Sequence, residues 1–119
     1  MATEHFSDDE LRCRCGCGRV EMDDGFMEWL EEVRVAYGQP IYVTSGFRCD
    51  DPRAHGKGCA IDAAVSHMDA RRLAEIALMR KVRGLGIRQH GPVERRFLHL
   101  DMWADSSKRP AWWTYDAGE

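Results

Sequence analysis

Two short apolar segments of the chain are interrupted by polar side chains. Residues 59–65 read CAIDAAV and contain Asp62. Residues 97–102 read FLHLDM and contain His99 and Asp101. Short apolar runs of this length are typical of buried strands, and a buried carboxylate is costly unless it is paired or binds a metal. The two segments therefore predict strands that carry a polar site.

The spacing of His99 and Asp101 places both side chains on one face of their strand. Residues two apart in a strand point to the same side, so Leu98 and Leu100 point to the other side, towards the core. The polar face is therefore a candidate functional site. The pattern alone also allows a plainer interpretation, in which His99 and Asp101 are an exposed pair and Asp62 caps a turn.

Capping signals predict three helices. Each begins at a Ser or Asp that can accept a hydrogen bond from the first turn, followed in two cases by an acid three residues later. The proposed caps are Ser7 with Glu10, Asp23 or Asp24, and Ser66 with Asp69. The middle helix has the clearest pattern, because its apolar residues recur at helical spacing until Gly38 and Pro40 end it.

Strands are expected at residues 41–45, 59–65, 84–87 and 97–102. The order of elements is then helix, helix, strand, strand, helix, strand, strand. Short strands in this order predict the α+β class, with a small antiparallel sheet and helices packed on one side of it. A chain of 119 residues suits one domain over residues 1–119. An aromatic tail is expected to pack as a lid on the core: Trp103, Trp112, Trp113 and Tyr115.

Composition and charge exclude several classes of function. The formal net charge is −3, whereas a nucleic-acid-binding protein needs a basic face. No apolar run approaches the roughly 20 residues of a membrane span. The N-terminal residues lack the basic start and apolar stretch of a signal peptide, so we expect synthesis in the cytoplasm. We expect a monomer without a nucleic-acid or membrane partner.

Residues 55–62 read H-x-x-G-x-A-x-D, which resembles the zinc signature of the D-Ala-D-Ala metallopeptidases, the family that shares its fold with hedgehog. The flanking segments agree with this resemblance in the right order. They are the opening His5-Phe6-Ser7, the Ser-Gly-Phe-Arg of residues 45–48, the His-x-Asp of residues 99–101 and the Arg-Pro-Ala-Trp of residues 109–112. The first and last are similar to the short phage and prophage branch of the family. The resemblance covers nearly the whole chain and implies the hedgehog/DD-peptidase fold.

The resemblance also implies a zinc-dependent metallopeptidase. In the family pattern His55, Asp62 and His99 hold the zinc and leave its fourth position for water, as in catalytic sites. The implied substrate is a stem peptide of peptidoglycan, cut by a D-Ala-D-Ala carboxypeptidase or by an endopeptidase. A phage or prophage origin would make the protein a lysin that acts on the cell wall after release, or a component of the virion.

The general base is not where the family keeps it. Relatives place an acid or a His three residues before the last ligand, where this chain has Arg96. We expect Asp101 to accept the proton, with Glu94 as the second candidate, although Asp101 could instead orient a ligand. Arg48 is the expected clamp for an oxyanion or a substrate carboxylate. A surface salt bridge is the alternative role of Arg48.

Four of the five cysteines form a second candidate site. Cys13, Cys15 and Cys17 lie close together, and Cys49 follows the Ser-Gly-Phe-Arg segment. Together they could hold a second, structural zinc. The spacing C-x-C-x-C differs from the usual C-x-x-C, however. This spacing favours thiols that only pack together, or a Cys13–Cys49 disulfide after export. We therefore expect one zinc ion, the catalytic one.

Two other functions remain open. The same fold with its zinc could be a cell-wall-binding or virion structural module with weak or no turnover, since the family's acid before His99 is missing. The cysteines could instead make the chain a thiol-based metal or redox protein.

Overall fold

The computed structural model describes residues 3–115, which contain three α-helices and five strands. The helices are α1 (Asp8–Leu11), α2 (Asp24–Tyr37) and α3 (His67–Met79), and the strands are β1 (Tyr42–Ser45), β2 (Ala60–Ala64), β3 (Gly84–Arg88), β4 (Phe97–Asp101) and β5 (Ala111–Thr114). A 3-10 turn at Val93–Arg95 precedes β4. The predicted helices and strands are all present, and β5 is additional. In this described part of the chain, no helix has the length and apolar character needed to cross a membrane.

Local capping sets the helix boundaries. Ser7 and Glu10 form the predicted capping box at α1. Asp23 accepts a hydrogen bond from a backbone N–H in the first turn of α2, and Gly38, at φ 77°, ends that helix in the left-handed conformation that favours glycine. The predicted capping box at α3 is wrong, because the Ser66 side chain makes no cap hydrogen bond.

The strands of the described residues form one mixed sheet in the order β1-β2-β4-β3-β5. The first four pair antiparallel, as expected, while β5 runs parallel to β3 at the edge. The α+β class is confirmed, but the sheet is not wholly antiparallel. β5 escaped the sequence pattern because it has only four residues of alternating burial, and its Trp112 is 75% exposed.

The two faces of the sheet differ in character. Ile61, Leu98 and Leu100 point from the central strands into one hydrophobic core, which also contains the buried residues of α2 and α3. Strand alternation directs Asp62 and His99 to the opposite face. The two longer helices therefore pack on the apolar face, and the polar residues occupy the other.

The aromatic tail covers the polar face only in part. Trp103 is partly buried against the hydrophobic core. The ring centroid of Trp113 lies 5.2 Å from that of His99, and Tyr115 packs on an aromatic ring of β4. Trp112 is exposed, so the expected lid is wrong at this residue.

Candidate metal centre

Three side chains meet on the polar face of the sheet. Asp62 of β2 lies opposite His99 of β4 in the antiparallel register, and His55 arrives from the loop that precedes β2. His55 Nε2 lies 3.2 Å from His99 Nδ1. Asp62 Oδ1 lies 3.1 Å from His99 Nδ1 and 3.4 Å from His55 Nε2, and all three residues are buried. The structure thus brings together the three residues expected to bind zinc.

The outer hydrogen bonds of the two imidazoles determine what their inner nitrogens can do. His55 Nδ1 donates to the carbonyl oxygen of Gly46 at 2.7 Å, and His99 Nε2 donates to Asp101 Oδ2 at 2.6 Å. In the neutral rings, His55 Nε2 and His99 Nδ1 therefore carry lone pairs. Together with Asp62 Oδ1 they form a triangle of three acceptors. Only a shared proton or a bound cation can stabilise that arrangement.

The acceptor triangle fits a zinc ion. Nitrogen and oxygen ligands about 2.1 Å from a tetrahedral zinc lie about 3.4 Å from one another. The three separations here are 3.1, 3.2 and 3.4 Å. Two imidazoles and one carboxylate are a donor set of catalytic zinc sites, in which the fourth position is left for water. The triangle borders a cleft of about 540 Å³, which would give water and substrate access to that position.

Electrostatics within the triangle favour an ionised Asp62 and a protonated His99. Burial by itself raises the pKa of Asp62, but the hydrogen bonds and charges of His55 and His99 outweigh burial and hold that pKa well below its usual range. Burial lowers the pKa of His99, but Asp101 and Asp62 outweigh burial and raise that pKa overall. A proton on His99 is therefore favoured without metal, and an incoming metal must displace it.

Asp101 lies behind His99 rather than in the cleft. Its side chain is fully buried. Besides the bond from His99, it accepts hydrogen bonds from Arg109 Nη2 at 2.8 Å and from the N–H of Trp103 at 3.1 Å. Burial raises the pKa of Asp101, but His99 and Arg109 outweigh burial and lower it to about 2. This position argues against Asp101 as the base and supports its alternative role of orienting a ligand.

The second candidate base does not belong to the cleft either. Glu94 lies in the exposed 3-10 turn before β4 and is absent from the cleft lining. Among residues 3–115, the cleft is lined by two carboxylates, Asp62 and Asp51. Asp51 Oδ1 accepts a hydrogen bond from the N–H of Arg53 at 2.8 Å. Sequence reasoning missed Asp51, because one acid in an irregular polar loop forms no pattern.

Cationic side chains line the cleft beside the triangle. Arg48 Nη2 lies 2.8 Å from Asp62 Oδ2, and Arg48 Nε donates to Ser45 Oγ at 2.9 Å. The expected clamp therefore binds the outer oxygen of a candidate metal ligand while still lining the cleft. Arg53 and Lys108 also line the cleft, and sequence reasoning missed both. Their positive charge suits an anionic ligand.

The cysteines divide into a cluster and a single residue. Cys59 is buried beside β2, as expected of a core residue. The Sγ atoms of the other four lie within 4.8 Å of one another. All five cysteines are free, as in the expectation of thiols that pack together, and the alternative Cys13–Cys49 disulfide is not formed. The structure thus brings together the residues of the second candidate site, Cys13, Cys15, Cys17 and Cys49.

Comparison with known proteins identifies the family. A sequence model described as Peptidase M15 matches residues 4–101, which include His55, Asp62 and His99. No curated protein and no solved structure is similar enough to match the chain. The family match extends over most of the chain and confirms the resemblance seen in its motifs. The chain therefore belongs to the peptidase M15 family of zinc D-Ala-D-Ala metallopeptidases.

Proposed function

We propose that this chain hydrolyses peptide bonds in the stem peptides of peptidoglycan, as a D-Ala-D-Ala carboxypeptidase or as an endopeptidase. The observation that carries the proposal is the acceptor triangle of His55, Asp62 and His99 beside an open cleft. Zinc held by these three residues would supply a Lewis acid that polarises the scissile carbonyl and activates water. We propose action on the cell wall, as a phage or prophage lysin or as a virion component.

The charges of the cleft support a substrate with a free carboxylate. Arg48, Arg53 and Lys108 line the cleft together with the carboxylate of Asp51. Bonds to Asp62 and to a serine hydroxyl use two of the five N–H donors of Arg48. The remaining donors can bind a carboxylate or a developing oxyanion. Stem peptides end in a carboxylate, which these cations can hold.

Asp51 is our candidate for the proton transfer that peptide hydrolysis requires. Asp101 is fully buried behind His99, and Glu94 lies outside the cleft, whereas Asp51 lines the same cleft as His55. The hydrogen bond from the backbone to Asp51 Oδ1 fixes this carboxylate within its loop.

A second candidate function rests on the same geometry. The chain has Arg96 where relatives carry an acid or a His three residues before the last zinc ligand, and within the described residues neither Asp101 nor Glu94 lines the cleft. A zinc-bearing module with weak or no turnover, which binds the cell wall or contributes to virion structure, is therefore the alternative proposal.

Digestion of purified peptidoglycan, followed by mass spectrometry of the products, tests the proposed activity. We expect the zinc-loaded wild type to release D-Ala or shortened stem peptides. His55→Ala should lose both zinc at the triangle and product release. Asp51→Asn should keep its zinc and lower kcat by about 10²–10⁴-fold, because the change removes a proton acceptor and not a metal ligand.

Asp50→Asn is the matched control for Asp51→Asn. Asp50 is the neighbouring acid in the same loop, but it is exposed and does not line the cleft, so kcat should not change. A wild type that holds zinc but releases no product would contradict the enzyme and support the structural module. Full turnover by Asp51→Asn would assign the proton transfer to another group.

A further inference from the structure

A second cluster of metal-binding side chains lies away from the acceptor triangle. Cys13, Cys15 and Cys17 come from the loop after α1, and Cys49 comes from the loop after β1. All four Sγ atoms lie within 4.8 Å of one another. Cys15 Sγ lies 3.4 Å from the sulfurs of both Cys13 and Cys49. Two segments that are distant along the chain therefore meet at their sulfur atoms.

The spacing of these sulfurs matches a bound metal more closely than a disulfide. Sulfur ligands about 2.3 Å from a tetrahedral zinc lie about 3.8 Å from one another. That value falls between the two separations of 3.4 Å and the limit of 4.8 Å within which all four sulfurs lie. A disulfide joins two sulfurs about 2.0 Å apart and would leave the other two outside. Four convergent thiols are the donor set of a closed, structural zinc site.

The backbone explains how three alternating cysteines can supply three ligands. In an extended strand, residues two apart are separated by about 6.6 Å, so C-x-C-x-C would place its sulfurs in a line. Gly16, between Cys15 and Cys17, instead has φ 94°, and Gly18 has φ 77°. These positive φ angles turn the chain, and glycine adopts them without steric cost. Because of this turn, the sulfurs of a C-x-C-x-C segment can converge on one point, as those of a C-x-x-C segment usually do.

Backbone amides offset part of the negative charge that four thiolates would bring. The N–H of Cys49 donates to Cys13 Sγ, and the N–H of Arg19 donates to Cys17 Sγ, each at 3.4 Å. Hydrogen bonds to an ionised acceptor favour its charged form. Two of the four sulfurs therefore accept backbone hydrogen bonds of the kind that stabilise metal-bound thiolates.

We propose a second, structural zinc ion, bound by Cys13, Cys15, Cys17 and Cys49. The ion joins two loops that already meet beside the cluster, where the N–H of Phe47 donates to the carbonyl of Leu11 at 2.9 Å. Arg48 immediately precedes the last ligand and bonds to Asp62. The structural ion therefore also holds in place the cationic clamp of the cleft.

Metal stoichiometry of the full chain tests this proposal independently of any peptidase activity. Purified under reducing conditions and reconstituted with zinc, the wild type should bind two zinc ions by elemental analysis. The double variant Cys15→Ser/Cys17→Ser should bind one, and so should His55→Ala/His99→Ala. After reconstitution with cobalt, the histidine variant should show thiolate-to-cobalt charge-transfer absorption, and the cysteine variant should not.

Cys59→Ala is the matched control, because this buried cysteine lies outside the cluster and both ions should remain. Cys17→Ser is a milder variant at an exposed position. It should fold and bind the second ion at least tenfold more weakly. A reduced wild type that binds one zinc, and whose cobalt form lacks thiolate absorption, would overturn the proposal. Unchanged zinc stoichiometry and affinity in Cys15→Ser/Cys17→Ser and in Cys17→Ser would also overturn it.

Discussion

His99 belongs to a line of four buried groups that alternate between acid and base. Asp62, His99, Asp101 and Arg109 are bonded in that order, at 3.1, 2.6 and 2.8 Å. None is more than 8% exposed. Buried charges of this kind are stable only when each keeps its partner. The far end of the line therefore fixes the orientation and basicity of the imidazole at the cleft, as carboxylates behind metal-binding histidines do.

Asp101→Asn should weaken zinc binding at the triangle by about 10–100-fold. The amide can still accept a hydrogen bond from His99, but it lacks the charge that makes the ring basic and that pairs with Arg109. Competition titration against a chromophoric zinc chelator measures the change. Glu94→Gln removes an exposed acid near the start of the same strand and should leave the affinity unaltered. Equal affinities for wild type and Asp101→Asn would show that this carboxylate only fills space.

Glu31 of α2 holds the N-terminal segment of the described chain. Its Oε2 accepts hydrogen bonds from Thr3 Oγ1 at 2.6 Å and from the N–H of His5 at 2.8 Å. Burial raises the pKa of Glu31, but these hydrogen bonds and the bond from the His5 ring to Oε1, at 2.6 Å, outweigh burial and lower it overall. Because its pKa is lower in the folded state, this carboxylate stabilises the fold above the unfolded-state pKa of about 4.3. The contribution is lost as pH falls through the folded-state pKa.

Glu31→Gln should therefore lower the free energy of unfolding by about 1 kcal/mol at neutral pH, with the difference shrinking in acid. Denaturant unfolding of both proteins at neutral and acidic pH, with equal zinc, measures the effect. Glu28→Gln, at an exposed position on the same helix, should have no effect at either pH. A difference that stays the same at all pH values would mean that the ionised form of Glu31 is not responsible.

At the scale of secondary-structure elements, two glycines of β3 make room for the site. The strand register aligns His99 with Gly86 and Gly86 with Trp113. It aligns Asp101 with Gly84. A Cβ at Gly86 would lie 2.7 Å from Trp113 Nε1, and a Cβ at Gly84 would lie 2.1 Å from Asp101 Oδ2. Because Gly84 and Gly86 have no side chains, the carboxylate of Asp101 and the indole of Trp113 can occupy the space beside β3.

Gly84→Ala should destabilise the fold by about 1–3 kcal/mol and weaken zinc binding together, because the new methyl group must displace Asp101 or Arg109. Denaturant unfolding and zinc titration of the same preparation check both effects. Gly25→Ala is the control for zinc binding, since its Cβ would approach the capping carboxylate of Asp23, at 3.2 Å, and no residue of the site. Similar behaviour of the two variants would refute the role of Gly84 in making room.

The strand residues of the site could be predicted, whereas the residues that support them could not. Asp62 and His99 each break an apolar run, and a break of this kind is visible in a single sequence. Arg109 and Gly84 act on Asp101 through contacts between separate segments, which leave no local pattern. β5 was missed for a similar reason, because its pairing with β3 defines it more than its own four residues do.

At the scale of the whole molecule, the order of helices and strands was enough for the fold class. The contact between distant loops could not be predicted from that order, because no local sequence pattern determines which loops approach each other. Cys15 and Cys49 are 34 positions apart and still come within 3.4 Å between their sulfurs. The C-x-C-x-C spacing favoured thiols that only pack together because it differs from the usual C-x-x-C, and the folded chain does gather all four.

The acceptor triangle also joins residues that are far apart along the chain. His55 and His99 are separated by 44 positions, and Asp62 and His99 by 37. No short stretch of sequence can hold the three acceptors together, because closing such long loops costs entropy that only the paired sheet offsets. During synthesis, a growing chain cannot assemble the triangle before β4 has left the ribosome. Metal loading at this centre therefore follows the pairing of β2 with β4.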